Sequence, residues 1–405
     1  MKLLFVCGAS VSGEELRCAA WIKSLVLNLC GEYEITLASH SLASGEPVVF
    51  KSEGGSVTLR GLKAFCGGEA DMSEYDVIVL FGTENGYTAD VLKLCAERGL
   101  LDRAAVFAQG MAYPCALHYA EGVPPKVVDR YTLRDFLRRQ NIKKEQAAMM
   151  KRAETEREAL TLTRSFIGRT TMDKAMLRMY NPSADYYRCN DVLREPFYSG
   201  EWSADACEKH RIFISQYYYP LKGFHYLLEA AAILKKKYPS LRIAAAGYNP
   251  IEKPLPQKET KDSSYIRYVK KLIGEYGLEG NIELLGVIDE ERMKEEYLKA
   301  NVFVMPSSIE NSPNSLAEAM MLGVPTVAAD VGGVSDFAEH KTEAFIYPSP
   351  AVYLLAHYID AVFEGGAPIT EMAHRGRERA LREYDRERNL LTFREALEKI
   401  ARKSD

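Results

Sequence analysis

Two glutamates that flank the start of a predicted helix carry the strongest chemical signal in the sequence. Glu310 follows a short apolar strand, and Glu318 lies about one and a half turns inside the helix that comes next. Ser312 is predicted to be the N-cap and Pro313 the first helical residue, a position that needs no N–H group. The first turn then presents free backbone N–H groups and the positive end of the helix dipole. These groups belong to Asn314, Ser315 and Leu316.

A helix start of this kind is suited to binding a diphosphate. Glu318 would then accept hydrogen bonds from two ribose hydroxyls, and Glu310 would reach the hydroxyls of a sugar. One ligand that carries a sugar, a diphosphate and a ribose would span all three elements. Glutamates at this spacing also occur by chance, so the alternative is that both are solvated or capping residues. The order of strand, glutamate, Ser-Pro, helix and Gly323-Val324-Pro325 gives the motif its specificity.

The elements around this motif alternate between short apolar strands and amphipathic helices. In the C-terminal half, strands are predicted at 211–215, 241–246, 282–285, 302–306, 325–328 and 344–347. In the N-terminal half, they are predicted at 3–7, 35–38, 48–50, 77–81, 105–108 and 165–168. This alternation is typical of an α/β protein with doubly wound parallel sheets.

We predict two domains with a boundary near Pro196, whose ring disfavours helix at the residue before it. The first comprises residues 1–195 together with about 385–405, and the second comprises residues 196–384. The segment 384–400 has the apolar spacing of an amphipathic helix. Because ligands of such sheets bind at the carboxyl ends of the strands, we expect the site in the cleft between the domains.

The composition is ordinary for a globular protein, and it restricts the function. The chain of 405 residues has a formal net charge of −4, which gives no global reason to bind nucleic acid. Its eight cysteines form no Cys-x-x-Cys pair, so we expect reduced thiols and a cytoplasmic location. No apolar stretch approaches about 18 residues, and the first one is a predicted strand rather than a signal peptide.

The stretch from Ser307 to Met320 resembles the Glu-seven-residues-Glu motif of the family 4 (group 1) glycosyltransferases. The resemblance covers residues 211 to about 365, and it implies the GT-B fold, in which two facing Rossmann-like domains enclose an interdomain cleft. By this resemblance, Glu310 contacts the donor sugar and Glu318 holds the ribose. Lys222, in the Lys-Gly pair after the first strand of the second domain, would neutralise the departing diphosphate. The alternative for Lys222 is an ordinary loop lysine.

Three glycines also match positions near the donor in that family. Gly332 and Gly333 form a loop in which the missing side chains would let the backbone approach a ligand. Gly247 follows the second strand of the domain, before the expected position of the nucleotide base. An ordinary turn glycine is the alternative there.

Three positions depart from the family pattern. Tyr217 occupies the place of an arginine, so one cationic partner for the diphosphate is absent or comes from elsewhere. Asp336 replaces a glutamate after the Gly-Gly loop, and Ala344 stands where a glycine is common.

The N-terminal half offers weaker candidates. Gly13 lies in a glycine loop that lacks the Gly-x-Gly-x-x-Gly spacing of a dinucleotide site, so NAD is disfavoured. It is either a donor contact or a plain turn. Gln109 stands where many family members have histidine, and with His118 and Arg169 it is a candidate on the acceptor side. A structural role is the alternative for His118, and an ion pair is the alternative for Arg169.

Basic residues are concentrated between Lys126 and Arg152. This local excess would allow peripheral contact with an anionic membrane, or binding of a lipid-diphosphate acceptor. A solvated charged helix is the alternative.

These features predict a retaining, metal-independent glycosyltransferase of bacterial surface polysaccharide synthesis. It would move a hexose from a nucleotide-sugar to a glycan or lipid-linked acceptor without a metal cofactor, because the sequence has no Asp-x-Asp pair and Lys222 and the helix start would supply positive charge. Retention, a UDP-sugar donor and the acceptor class are implied by the resemblance alone. An inactive nucleotide-sugar-binding protein and a non-hydrolysing nucleotide-sugar epimerase remain as alternatives, the first because of Tyr217 and Gln109.

Overall fold

The computed structural model describes residues 1–12, 15–42, 46–248 and 262–404. The contacts within the chain divide it into two compact units. Unit 1 contains Met1–Tyr113, Lys151–Arg194 and Tyr384–Asp405, and unit 2 contains Pro114–Met150 and Glu195–Glu383.

The described residues form α/β structure throughout. The strands of unit 1 are β1 (Lys2–Cys7), β2 (Ala9–Ser12), β3 (Glu15–Cys18), β4 (Glu34–Ser39), β5 (Val48–Ser52), β6 (Gly55–Gly61), β7 (Val77–Phe81), β8 (Ala104–Phe107), β9 (Ser165–Gly168) and β10 (Asp185–Arg188). The strands of unit 2 are β11 (Arg211–Ile214), β12 (Arg242–Ala246), β13 (Ile282–Gly286), β14 (Val302–Met305), β15 (Thr326–Asp330) and β16 (Phe345–Pro348).

The helices, numbered along the chain, cover the faces of these sheets. They are α1 (Ala20–Leu29), α2 (Leu62–Cys66), α3 (Gly86–Glu97), α4 (Ala112–His118), α5 (Pro125–Val128), α6 (Leu133–Arg138), α7 (Ile142–Leu162), α8 (Thr171–Tyr180), α9 (Phe224–Leu234), α10 (Ser264–Glu275), α11 (Glu290–Lys299), α12 (Asn314–Met321), α13 (Val352–Glu364), α14 (Ala367–Glu383) and α15 (Arg386–Ala401). None of the described helices is long and apolar enough to cross a lipid bilayer.

The main sheet of unit 1 has the strand order β10-β9-β8-β7-β1-β4-β6-β5. Its neighbouring strands are parallel except for the β5–β6 pair. The central strand β1 is an unbroken apolar run because both faces of the sheet are covered. Leu3 and Phe5 belong to one buried cluster, and Leu4 and Val6 belong to another.

The last described helix, α15, closes one of these clusters. Leu390, Phe393, Leu397 and Ile400 are buried in it, as expected from their helical spacing. The ring of Phe393 stacks on that of Phe107 at a centroid distance of 5.7 Å. A helix that is distant in sequence therefore completes the core of unit 1.

Unit 2 has a six-stranded parallel sheet in the order β13-β12-β11-β14-β15-β16. Every side chain of β11 and β14 is buried, which explains their lack of polar alternation. The doubly wound architecture that the alternating pattern predicted is thus present in both units.

The segment 114–150, which the predicted boundaries place in the first domain, groups with unit 2 in the structure. Val123 and Ile142 are buried in the same core as the strands of unit 2. The Thr132 hydroxyl donates to the carbonyl of Asp262 at 2.7 Å. Two helices, α6 and α7, cover residues 133–162 because Arg139 adopts a left-handed backbone (φ 53°) and ends α6.

Candidate active site

The loop after β11 places a lysine at the carboxyl end of the unit 2 sheet. Pro220–Lys222 form one 3₁₀ turn, which ends at Gly223 in the left-handed region (φ 65°). A Cβ atom at Gly223 would lie 1.8 Å from the carbonyl oxygen of Pro306, so only glycine allows this approach. The Ser308 N–H also donates to the Leu221 carbonyl at 2.8 Å. The loop after β11 and the segment after β14 are thereby held side by side, although they are distant in the sequence.

The close approach of Gly223 to Pro306 brings together Lys222 and Glu310, the two residues predicted to act on the diphosphate and the donor sugar. The ammonium of Lys222 donates to Oε1 of Glu310 at 2.5 Å, and the Ser307 hydroxyl donates to the same oxygen at 2.7 Å. The Lys222 and Glu310 side chains are 20% and 13% exposed, so ligands in solution can reach both. Burial lowers the pKa of Lys222, but the Glu310 carboxylate and the Tyr219 hydroxyl raise it by more. The net pKa lies above its ordinary value, and the lysine stays charged.

Helix α12 begins one residue later than predicted. Pro313, not Ser312, is the N-cap, and it provides no side-chain hydrogen bond to the first turn. Of the three N–H groups expected to be free, that of Leu316 donates to the Pro313 carbonyl at 3.0 Å, because the first turn is tight. The first two residues of the helix are Asn314 and Ser315.

Glu318 lies on the buried side of α12. Its side chain is 5% exposed, and the Tyr297 hydroxyl lies 3.5 Å from its Oε2 atom. The same hydroxyl donates to the Ser315 carbonyl at 3.0 Å. Tyr297 therefore bridges the first turn of α12 and the carboxylate predicted to hold the ribose.

The predicted glycine positions lie at the carboxyl ends of other strands of the same sheet. Gly332 has φ 58°, and the Gly333 N–H donates to the backbone carbonyl of Glu310 at 3.0 Å. The Gly-Gly loop thus lies beside Glu310. Gly247 has φ 110°, and a Cβ atom there would lie 3.5 Å from the Tyr218 ring.

The departures from the family pattern have plain structural roles. Tyr217 is fully buried and packs on the Phe224 ring at a centroid distance of 5.2 Å. Ala344 is fully buried as well. Asp336 lies in a short 3₁₀ helix after the Gly-Gly loop, and its backbone carbonyl accepts a hydrogen bond from Arg379 at 2.8 Å.

The acceptor-side candidates belong to different units of the structure. Gly13, the candidate donor contact of the N-terminal half, lies outside the described residues. Gln109 is half-buried after β8 in unit 1. His118 belongs to unit 2, where its Nδ1 atom lies 2.5 Å from Glu121 Oε2. Arg169 is 2% exposed, forms an ion pair with Asp191 and donates to the Ala108 carbonyl, so the ion-pair alternative is the one observed.

Two buried carboxylates of unit 1, Glu84 and Glu156, were not predicted from the sequence. Glu84 follows β7, and its carboxyl group lies 3.7 Å from the position that a Cβ atom at Gly110 would take. Burial raises the pKa of Glu84 to about 7. Glu156 is 1% exposed and accepts hydrogen bonds from Thr83 and from two backbone N–H groups. The position of Glu84 just after a buried strand was the available signal.

Three tyrosines at the same sheet edge as Lys222 were not predicted either. Tyr218 lies at centroid distances of 4.9 Å from Tyr219 and 6.0 Å from Tyr248, and both contacts are edge-to-face. The Lys222 ammonium is 5.8 Å from the centre of the Tyr219 ring. Their positions after β11 and β12 place these aromatic rings at the same sheet edge.

The described residues contain no group of three His, Cys, Asp or Glu side chains arranged to hold a metal ion.

A doubly wound α/β unit with a lysine, two glutamates and a helix start at its carboxyl edge is the kind of domain that binds phosphorylated ligands. Residues 204–382 match the family described as glycosyl transferases group 1. The amylovoran biosynthesis glycosyltransferase AmsK of Erwinia amylovora is 25% identical over 186 residues, which are 44% of this chain and 42% of that relative. The chain thus spans less than half the length of this relative.

Two solved structures have the same fold over nearly the whole chain. Sucrose-phosphate synthase of Thermosynechococcus elongatus has a TM-score of 0.71 at 17% identity and covers 97% of both chains. HepE of Anabaena, solved in complex with UDP-glucose, has a TM-score of 0.65 at 15% identity, over 98% of this chain and 99% of that chain. The chain therefore has the GT-B fold, and residues 204–382 match the model of the group 1 glycosyl transferases, the family that the Glu310–Glu318 motif resembles.

Proposed function

We propose that the protein is a retaining, metal-independent glycosyltransferase that takes a hexose from a nucleotide-sugar. The observation that supports this function most directly is the Lys222–Glu310 pair, which lies beside α12, the helix that contains Glu318. Cation, helix start and two carboxylates lie at one sheet edge, which supports a ligand with a diphosphate between two hydroxylated rings. A non-hydrolysing epimerase and an inactive binding protein would need no transfer to an acceptor, so detection of transfer separates them from the enzyme.

In this proposal each residue has a distinct role. Lys222 and the first turn of α12 stabilise the negative charge that develops on the leaving diphosphate. Lys222 and Ser307 both bind Oε1 of Glu310, so Oε2 is the oxygen that a hydroxyl of the donor sugar would contact. Glu318 accepts hydrogen bonds from the ribose hydroxyls. The nucleotide phosphate itself would accept the proton of the acceptor hydroxyl, which gives retention of configuration.

The named proteins of similar sequence or structure support the donor and the pathway class. UDP-glucose is the ligand of the HepE complex, and AmsK is a glycosyltransferase of amylovoran biosynthesis. We therefore infer a UDP-sugar donor and an acceptor that is a glycan or a lipid-linked saccharide of a bacterial surface polysaccharide. Unchanged transfer in the presence of EDTA is expected, because Lys222 and α12 supply the positive charge.

Calorimetric titration of UDP, GDP, ADP and NAD without metal tests this function. One nucleoside diphosphate should bind, and Glu318→Gln and Glu318→Ala should weaken it by about 1–3 kcal/mol, the range for a lost hydrogen bond to a charged group. Lys222→Met should lower the affinity for the nucleoside diphosphate more than the affinity for the corresponding monophosphate, because the lysine contacts the terminal phosphate in this proposal.

Glu291→Ala is the matched control, since Glu291 is an exposed carboxylate on α11 of the same unit. Because Glu318 is buried, its substitution could also destabilise the fold. The melting temperature of each variant shows whether the fold is kept, so that a loss of affinity can be assigned to the lost contact. Binding of NAD alone, or an unchanged affinity in both Glu318 variants, would contradict the donor site.

We also propose that the basic segment contacts an anionic membrane surface. Helix α6 exposes Leu133, Phe136 and Leu137 to 52%, 70% and 72%, beside the cationic residues of the segment. Exposed apolar side chains among cations are typical of a surface that inserts shallowly between anionic headgroups. Vesicle binding measures this property directly.

A further inference from the structure

A cavity of about 320 Å³ lies within unit 2, beside the carboxyl ends of β11 and β12. Its lining comes from the segment after α4, from the start of α7, from the loop after β11, from Tyr248 after β12 and from the start of α10. The volume is at the lower end of the roughly 300–1,000 Å³ found for small-molecule sites. A single ring fits such a volume better than an entire nucleotide-sugar.

Aromatic rings form much of the cavity wall. Tyr119, Tyr218, Tyr219, Tyr248 and Tyr265 all line it. The electron-rich face of such a ring attracts the weakly positive C–H groups of a sugar ring, and the hydroxyl of a tyrosine adds a polar contact. Burial is the main cause that raises the pKa of Tyr219 to about 12, so its hydroxyl remains a neutral donor.

The charged groups in the lining make the cavity unsuitable for an anion. Arg134 is paired with Asp135 at 3.2 Å, and Asp135 is fixed by the backbone N–H groups of Thr132 and Ser264. The positive charge of Arg134 is therefore compensated. Glu145, which accepts a hydrogen bond from the Tyr119 hydroxyl at 2.9 Å, adds a further carboxylate. Burial raises the pKa of Glu145, and Tyr119 and Arg134 offset this in part.

The cavity adjoins the candidate active site. Tyr219 lines the cavity, and its ring also lies 5.8 Å from the Lys222 ammonium. A ligand in the cavity is thus separated from the proposed leaving diphosphate by one aromatic side chain.

We propose that this cavity binds one uncharged sugar ring of the acceptor, with its C–H face on the tyrosines and its hydroxyls on Glu145, Arg134 and Asn141. The proposal rests on the proposed transferase function, and it narrows the acceptor to a glycan with a neutral residue near the reacting end. The family resemblance places a nucleotide base after Gly247, next to Tyr248 of this lining, so a nucleobase is the competing occupant. A nucleobase also stacks on aromatic rings, but it has fewer hydroxyl-like donors for the carboxylate and hydroxyl groups of the lining, which therefore favours a sugar.

Saturation-transfer NMR with methyl glycosides of glucose, galactose, mannose and glucuronic acid tests the cavity. At least one neutral glycoside should receive saturation from the wild-type protein, and the glucuronide should receive much less because Glu145 repels its carboxylate. Tyr218→Ala and Glu145→Gln should each reduce the neutral signal at least about fivefold. The matched controls are Tyr353→Ala and Glu154→Gln, since both side chains are exposed.

The affinity for UDP separates the outcomes. A loss of glycoside signal with an unchanged UDP affinity supports the acceptor cavity and shows that the variant is folded. A parallel loss of UDP affinity in a variant with an unchanged circular dichroism spectrum would assign the cavity to the nucleobase and overturn the proposal. The absence of any neutral glycoside signal, or signals that survive both substitutions, would overturn it as well. Glycoside binding by a wild-type protein that binds no nucleoside diphosphate would overturn the transferase and, with it, the acceptor role.

Discussion

At the scale of single residues, the Lys222–Glu310 pair determines the charge of the candidate active site before a ligand binds. The two groups compensate each other at 2.5 Å while staying partly exposed. Removal of either one leaves the other without its counter-charge, which changes the local field as well as the direct contact. A diphosphate that enters beside Lys222 must therefore share the ammonium with Glu310.

A second residue of interest is Glu84 in unit 1, whose ionisation should be linked to folding. Burial raises its pKa from 4.5 to about 7, while its own N–H and that of Gly110 act in the opposite direction. The folded state therefore binds a proton more tightly than the unfolded chain. This stabilisation is complete below the unfolded pKa and is lost as the pH rises through about 7.

Urea titrations between pH 5 and pH 8 should show this linkage. The free energy of unfolding of the wild type should fall by up to about 3 kcal/mol relative to that of Glu84→Gln over this range. Glu97→Gln, at an exposed position of α3, should follow the wild-type curve. Parallel pH profiles for the wild type and Glu84→Gln would show that Glu84 ionises normally.

At the scale of elements, α6 stands out because its apolar residues face solvent. This short helix begins after Thr132, which forms a capping box with Asp135. It ends at Arg139, whose backbone is left-handed. The cap and the link to Ser264 fix the helix while Phe136 stays 70% exposed. A rigid, exposed apolar helix among cations is well suited to contact a charged lipid surface.

We expect α6 to drive vesicle binding. The protein should co-sediment with phosphatidylglycerol vesicles, less so at high salt, and only weakly with phosphatidylcholine vesicles. The double substitution Phe136→Ser and Leu137→Ser should lower the partition coefficient at least about tenfold, since both side chains lose their apolar contact with the lipid. Val48→Ser with Val49→Ser is the control pair, because both valines are exposed on β5 of unit 1. Equal binding by both double variants would contradict the assignment to α6.

At the scale of the whole molecule, three separate segments of sequence build unit 1, and the last of them supplies part of one face of its core. Phe393 packs on Phe5 and Phe107 at centroid distances of 6.3 Å and 5.7 Å. These contacts join strands β1 and β8 to a residue that lies 388 positions after Phe5 and 286 positions after Phe107.

Phe393→Ala should therefore destabilise unit 1. The side chain is 1% exposed, so its truncation should cost about 3–5 kcal/mol. Leu391→Ala, at a 54% exposed position of the same helix, should cost less than about 0.5 kcal/mol. Amide hydrogen exchange should quicken in β1 and β8 and stay unchanged in the strands of unit 2. Equal effects of the two substitutions would contradict this role of α15.

The contrast between Glu310 and Glu84 shows what could be predicted from the sequence. Glu310 and Glu318 belong to one local motif, and Lys222 belongs to a Lys-Gly pair that follows a buried strand, so their place at one sheet edge could be predicted from local sequence. Their roles in binding stay predictions. Glu84 and the tyrosines around the cavity depend on contacts between distant segments, and no local pattern encodes those. The predicted strands were mostly correct because buried parallel strands are apolar runs.

The segment 114–150 shows a different limit. Its charges and amphipathic helices look alike whether it packs on one sheet or on the other. Only the burial of Val123 and Ile142 in the core of unit 2 decides the matter. For Arg169, the sequence left a ligand contact and an ion pair equally open, and the partner Asp191 lies 22 positions away.

The three segments of unit 1 are synthesised at different times, because the segments of unit 2 lie between them in the sequence. Every residue of unit 2 leaves the ribosome before Tyr384–Asp405, the segment that completes unit 1. At about 5–20 residues per second, this last segment takes a few seconds to synthesise. Until that segment is available, Phe5 and Phe107 lack the ring of Phe393, and part of the hydrophobic core of unit 1 stays uncovered. The segment synthesised after unit 2 therefore determines when unit 1 can complete its core.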